Sequence, residues 1–267
     1  MSNIDRRQFL KIMGVSTIFG MGMASTNTFL EKLEASTFDK TPGRLAAKRW
    51  GMYIDMDKIS EADIPRIVGA CHRAHNVPAH GNPKHEVKWI WAEEFKHAFP
   101  EQEGEFLSEK YEHQKILVLC NHCEKPACTR VCPTKATYKR KEDGLVLMDY
   151  HRCIGCRFCM AACPYGARSF NYTNPRAALN KNEINPKFPT RMIGVVEKCT
   201  FCSERLDKGL KPACVEASNG GMVFGDLNDP HSELRKLLRE QFTMRRKPEL
   251  GTNPGLYYKI GGAQHAG

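Results

Sequence analysis

The spacing of the cysteines constrains this chain more than any other feature. Twelve occur in 267 residues. Eight form two complete sets, Cys120-x2-Cys123-x4-Cys128-x3-Cys132-Pro133 and Cys153-x2-Cys156-x2-Cys159-x3-Cys163-Pro164. Three more, Cys199, Cys202 and Cys214, open a further set that stops short, because Ser218 stands where a Cys-x3-Cys step would put the next sulfur. Cys71 stands alone.

Disulfides, structural zinc and iron–sulfur clusters all use cysteine, and spacing separates them. Zinc is held by two Cys-x2-Cys-type knuckles, and two full runs of four, each followed by Pro, do not follow that pattern. The second set has the C-x2-C-x2-C-x3-C-P spacing that binds a 4Fe–4S cluster, with the fourth Cys serving the neighbouring cluster of a pair. A tight loop presents three thiolates to one cube, and Gly155 relieves crowding where backbone approaches sulfur. The fourth Cys opens a helix and projects away, and the Pro after it suits a first helical turn that needs no N–H. The expected ligand sets are Cys120, Cys123, Cys128 and Cys163 for one cluster, and Cys153, Cys156, Cys159 and Cys132 for the other.

The rest of the composition suits a soluble globular protein, with 41% hydrophobic and 26% charged residues. The formal net charge of +10 counts every Cys as a neutral thiol, so it is partly an answer to anionic clusters. No basic stripe with interleaved aromatics is present, and nucleic acid is not an expected partner. The N-terminal "DRRQFLK" resembles a twin-arginine export signal, which carries folded, cofactor-loaded proteins. An uncharged run of 19 residues follows, Ile12 to Leu30, about long enough to span a bilayer. It lacks a clean Ala-x-Ala cleavage site. Residues 1–30 are therefore expected to be a signal or, by preference, a retained membrane anchor. The remainder would lie on the outer (periplasmic or extracytoplasmic) face of the cytoplasmic membrane.

The third set, within "KCTFCSERLDKGLKPACVEA", resembles the last cysteine group of the four-cluster iron–sulfur electron-transfer subunits of the DMSO reductase/NrfC type. The resemblance extends through "CNHCEKPACTRVCPT", "CIGCRFCMAACPYGAR" and "GDLNDPHSELRKLL" to "PELGTNPGLYY". In that family the central cysteine groups exchange their last ligands, and so do the first and last groups. This chain departs at the first group, where "ISEADIPRIVGACHRAHNVP" offers no cysteine before Cys71. The resemblance implies that one cluster is lost as a unit, with Ser218 at its vacated corner, and that Cys71 completes Cys199, Cys202 and Cys214. The cofactors would then be three 4Fe–4S clusters. Ser218 as an oxygen ligand is the alternative. A three-cluster member with a twin-arginine signal is similar to the DsrO type of the sulfite-reduction-associated membrane complex. That likeness implies an NrfD-type polytopic quinone-reactive membrane subunit and a multihaem cytochrome c as partners. The alternatives are the iron–sulfur subunit of a molybdopterin oxidoreductase or of a menaquinol-oxidising complex. Readings from other classes are a catalytic or sensory cluster with an open corner, which would fall at the third set, and a zinc-dependent binding module. No catalytic nucleophile or base is identifiable, so the chain is expected to be a non-catalytic electron-transfer subunit.

The expected fold is α+β. Two ferredoxin-like cluster-binding units related by a pseudo-twofold would occupy 41–267, the inner about 112–175 and the outer about 45–90 with 190–245, with a C-terminal helix. Strands are expected at 115–119 and 144–149, joined through a turn at "KEDG", and at 194–198 and 221–227. A helix from His231 would place Leu234, Leu237, Leu238 and Phe242 on one side. His72, His75 and His80 are expected to hydrogen-bond or lie at the surface, and Trp89 and Trp91 to serve in the core or an interface. "RRK" at 245–247 reads as a solvated face and 174–189 as a surface loop.

Overall fold

The computed structural model describes residues 43–102, 104 and 107–261; the expected signal or anchor at 1–30 lies outside them. The strands are β1 (Trp50–Asp55), β2 (Ile90–Glu94), β3 (Lys115–Leu119), β4 (Thr137–Lys139), β5 (Val146–Met148), β6 (Ser169–Phe170), β7 (Val196–Glu197), β8 (Met222–Asp226) and β9 (Leu256–Lys259). The helices are α1 (Ile64–His75), α2 (Phe95–Ala98), α3 (Glu109–Glu112), α4 (Ala127–Arg130), α5 (Phe158–Ala161), α6 (Ser203–Leu206), α7 (Ala213–Ala217) and α8 (Glu233–Glu240). Most are single turns, because cluster-type loops interrupt the chain before longer elements can form. Among the described residues no helix is long and apolar enough to cross a membrane.

β1 is the central strand of the largest sheet, antiparallel to β8 and parallel to β9. Every residue of β1 is buried, as a strand covered on both faces requires. One face carries Met52, Ile54, Phe224, Leu256 and Tyr258 into the main core. The other, through Tyr53, meets Leu227 and Leu234. Gly51 has no room for a side chain, since a Cβ there would lie 2.6 Å from Leu227. The remaining sheets are antiparallel pairs: β2 with β3, β4 with β5, and β6 with β7. All four strands read from the sequence form, yet none pairs with another of the four. Each takes a partner that the sequence reading did not pick out, such as β1 for β8 and the two residues of β6 for β7.

α8 begins at Glu233, two residues after the expected start at His231, with Ser232 capping Arg235 N–H. Leu234 is fully buried, and Leu237 and Leu238 pack beside it. Phe242 corrects the expected stripe. It falls after the helix ends and is 85% exposed, because the backbone turns extended at Gln241 and Met244 bridges to Tyr258. "RRK" is also corrected. Arg246 is buried, donates to Ala98 O at 2.9 Å and lies over the Tyr165 ring.

A buried ion pair locks α1 to β7. Arg191 and Glu197 are both fully inaccessible and pair at 2.6 Å. Trp89 Nε1–H donates to Glu197 at 2.8 Å, and Arg191 reaches the carbonyls of His75 and Asn76 at the end of α1. Asn76 itself is left-handed (φ 50°) and caps the helix. Removing one partner leaves a buried charge alone, which costs about 3–5 kcal/mol. Arg191→Met is therefore expected to destabilise the holoprotein by about that much in denaturant unfolding followed by Trp fluorescence, and a loss under about 1 kcal/mol would contradict this role.

Candidate iron–sulfur sites

Twelve free thiols fall into three groups. Cys120, Cys123, Cys128 and Cys163 line one cavity, together with Tyr165 and Arg168. Cys132, Cys153, Cys156 and Cys159 line a second, with Met148 and Val196. The third group lies deepest. Cys71 comes from α1, Cys199 and Cys202 from the turn before α6, and Cys214 from α7, which packs against α1. All four of these residues are buried. Burial first, and then the neighbouring Cys214, Cys199 and Cys202, push the Cys71 thiol far up.

Local backbone explains how the turns aim their sulfurs. The third residue of the Cys-x2-Cys turn that opens each set is left-handed: His122 (φ 40°), Gly155 (φ 69°) and Phe201 (φ 55°). At Gly155 glycine is obligatory, since a Cβ would sit 2.3 Å from Gly194 O. His122 and Phe201 adopt the same conformation with bulky side chains, at a cost of about 1–3 kcal/mol each. What offsets it is visible between the turns. The two rings stack at 3.8 Å and 15°. His122 Nδ1 accepts from Val146 N–H at 3.1 Å, and Nε2–H donates to Cys199 O at 3.1 Å. These partners fix a neutral tautomer; burial and then Lys198 hold its pKa well below the ordinary value. Lys198 is wholly buried and donates to Cys199 O at 2.7 Å and to Val146 O. The first group therefore abuts the third across a stacked pair. His122 escaped the sequence reading, although its place inside a Cys-x2-Cys turn was the available signal.

The donor sets suit a metal–sulfur group. In the first and second groups four soft sulfurs line one cavity that no carboxylate lines, which matches iron–sulfur or zinc; in the third group Glu204 and His75 lie within 4.8 Å of Cys202. Free thiolates are disfavoured in these sites: burial first, and then Cys120, push Cys123 up to about 12, and burial pushes Cys214 up to about 12. Backbone N–H groups also point at sulfur, Phe201 to Cys199 and Ala213 to Cys202, each at 3.4 Å. At Cys132 burial opposes the thiolate, but N–H groups of Thr137, Ala136 and Thr134 and the Thr134 hydroxyl outweigh it and hold the pKa down. Such bonds tune iron–sulfur clusters.

Ser218 is engaged with the backbone around it. It is 4% exposed, its Oγ–H donates to Val215 O at 2.7 Å, and it accepts from Met222 N–H at 2.9 Å. It links the end of α7 to β8. Nearby, Ile59 packs so tightly on Gly221 that a Cβ there would lie 2.5 Å away. The three histidines read from the sequence fall in two places. His75 stacks on Trp89 and bonds Glu204 at 2.9 Å and Cys71 O at 2.8 Å. His72 and His80 line a separate surface cavity with Pro83 and Val87. Trp89 is core, and Trp91 is half-buried beside Glu93.

Comparison with known proteins agrees with this geometry. Residues 114–181 match the 4Fe-4S dicluster domain. The Hdr-like menaquinol oxidoreductase iron-sulfur subunit 1 of Archaeoglobus fulgidus is 39% identical over 97% of this chain and 99% of its own length. The iron-sulfur cluster-binding subunit of menaquinone reductase from Nitratidesulfovibrio vulgaris is 36% identical over 79% of this chain and 88% of its own. The iron-sulfur subunit of arsenate respiratory reductase from Shewanella sp. is 37% identical over 79% and 95%. Such relatives are electron-transfer rather than catalytic subunits of their complexes. With four-cysteine groups, a dicluster domain and an end-to-end relative in hand, the chain belongs to the NrfC/DsrO-like family of iron–sulfur cluster-binding subunits of Hdr-like menaquinol oxidoreductase and DMSO-reductase-type complexes.

Proposed function

We propose that this chain conducts electrons through three 4Fe–4S clusters, between a quinone-reactive membrane subunit of the NrfD type and a multihaem cytochrome c or a further redox subunit. The observation that carries the reading is the gathering of all twelve cysteines into three groups of four, with none left over. The ligands are Cys71, Cys199, Cys202 and Cys214 for one cluster, then Cys120, Cys123, Cys128 and Cys163, then Cys153, Cys156, Cys159 and Cys132. When bound, each cluster supplies a one-electron site; the chain holds the sulfurs, excludes water and sets the local charge. The middle position of the first group follows from its contacts with both others. The facing His122 and Phe201 turns support an approximate twofold between two ferredoxin-like units. Between Lys58 and Cys71 the chain has Ile59, Ile64 and Ile67 in the core where the family would carry cysteines, which supports loss of a fourth cluster as a unit.

The complex is of the sulfite-reduction-associated, DsrO-like type, facing the outer side of the membrane after twin-arginine export. The end-to-end likeness to a menaquinol oxidoreductase subunit supports a quinone-linked complex and favours the menaquinol-oxidising alternative over the molybdopterin one. Cys71→Ala is expected to lower the iron content and give the signal of an oxidised 3Fe–4S centre. Ser218→Ala should leave iron content and spectrum as they were. The opposite pattern would make serine the ligand. N-terminal sequencing of the purified subunit tests attachment: a start at or near residue 1 is expected for a retained anchor, and a start near residues 25–30 would mean a cleaved signal.

A further inference from the structure

Arg168 is a buried cation with an unusual set of partners. It is 5% exposed, and among the described residues no carboxylate pairs with it. A buried guanidinium without a counter-ion is costly, because it cannot shed its proton. Its partners are instead sulfur and hydroxyl. Nη2 donates to Cys128 Sγ at 3.0 Å and to Thr137 Oγ1 at 2.7 Å. Nη1 reaches Met148 Sδ at 3.5 Å. Cys128 lines the first cavity and Met148 the second. The guanidinium thus stands in the wall between two groups of cysteines. Cys159, of the second group, also feels it: burial raises that thiol and Arg168 opposes the rise.

We infer that Arg168 is a positioning residue whose charge is shared by the clusters of the first and second groups and raises the reduction potential of both. The inference rests on the cluster assignment proposed above. An electron added on either side adds negative charge to the sulfurs that this cation faces, so its field favours the reduced form on both sides. No atom moves and no proton is exchanged. The third group does not touch Arg168: its buried cation is Lys198, beside Cys199.

The test is a potentiometric titration, followed by electron paramagnetic resonance, of the holoprotein with Arg168→Gln and Arg168→Lys. In Arg168→Gln, two of the three clusters should shift to lower potential. Each should lose about tenfold in its reduced-to-oxidised ratio at fixed ambient potential, ~59 mV for a one-electron couple, while the third stays. Arg168→Lys keeps the charge and should bring both back to within that tenfold. Potentials unchanged in Arg168→Gln with iron content intact would overturn the inference while leaving the cluster assignment standing. So would equal shifts in all three, or a Lys variant that behaves like Gln. If Arg168→Gln loses iron, the Lys variant alone decides: restored iron with both potentials near the unsubstituted protein supports shared charge, and restored iron with either displaced by more than tenfold overturns it. Absence of cluster signals from the unsubstituted protein would instead refute the proposed function itself.

Discussion

Four thiolates drawn from distant parts of the chain must converge on one point in the interior, and the rest of this structure depends on that convergence. Burial first, and then neighbouring sulfurs, raise the thiols of Cys71, Cys123, Cys199 and Cys202, and burial raises Cys214. A bound metal–sulfur centre would offset that cost at each corner. The consequence for the fold is that long elements give way to short ones. Left-handed turns at His122, Gly155 and Phe201 replace regular structure, and α4, α5 and α7 last little more than a turn. The sheet around β1 and the long helix α1 supply the conventional core that these loops lack.

Charge is managed in two distinct ways inside one protein. Arg191 meets Glu197, and Trp89 and Asn171 complete the carboxylate's hydrogen bonds. That knot fixes α1, and with it the direction of Cys71. Lys198 and Arg168 are equally buried, yet they face carbonyls, a hydroxyl and sulfurs instead of carboxylates. They sit where the cysteine groups approach one another. A small part of the basic excess is thus internal.

Much of the site was legible in the sequence because cluster binding is a local demand. The two complete cysteine runs and Gly155 state their purpose within a few residues. The expectation that Cys71 lies beside Cys199, Cys202 and Cys214 came only through the family resemblance, since those residues are more than a hundred positions away and a lone cysteine carries no spacing. His122, Lys198 and Arg168 were missed for a related reason: each acts across the gap between two groups, and nothing local marks it. The strands at 115–119 and 221–227 could be read from their apolar runs. Their partners β2 and β1 could not be assigned, because pairing depends on tertiary contact. Phe242 looked like part of an apolar stripe, but the bridge from Met244 to Tyr258 draws the chain out of the helix before it. Arg246 read as solvated for want of any sign that Ala98 O and Tyr165 would enclose it.

The central claim is that every cysteine of this chain serves one of three clusters. Iron and acid-labile sulfide, quantified per chain on the subunit in its native complex after correction for the other subunits, test it most directly. The account requires about twelve iron and about twelve sulfide per chain, three cubes of four each, with no stoichiometric zinc. About eight would leave the group of Cys71, Cys199, Cys202 and Cys214 without a cluster, about sixteen would require a fourth centre for which the chain has no remaining thiols, and stoichiometric zinc would replace the chemistry altogether; each of these results would contradict the account.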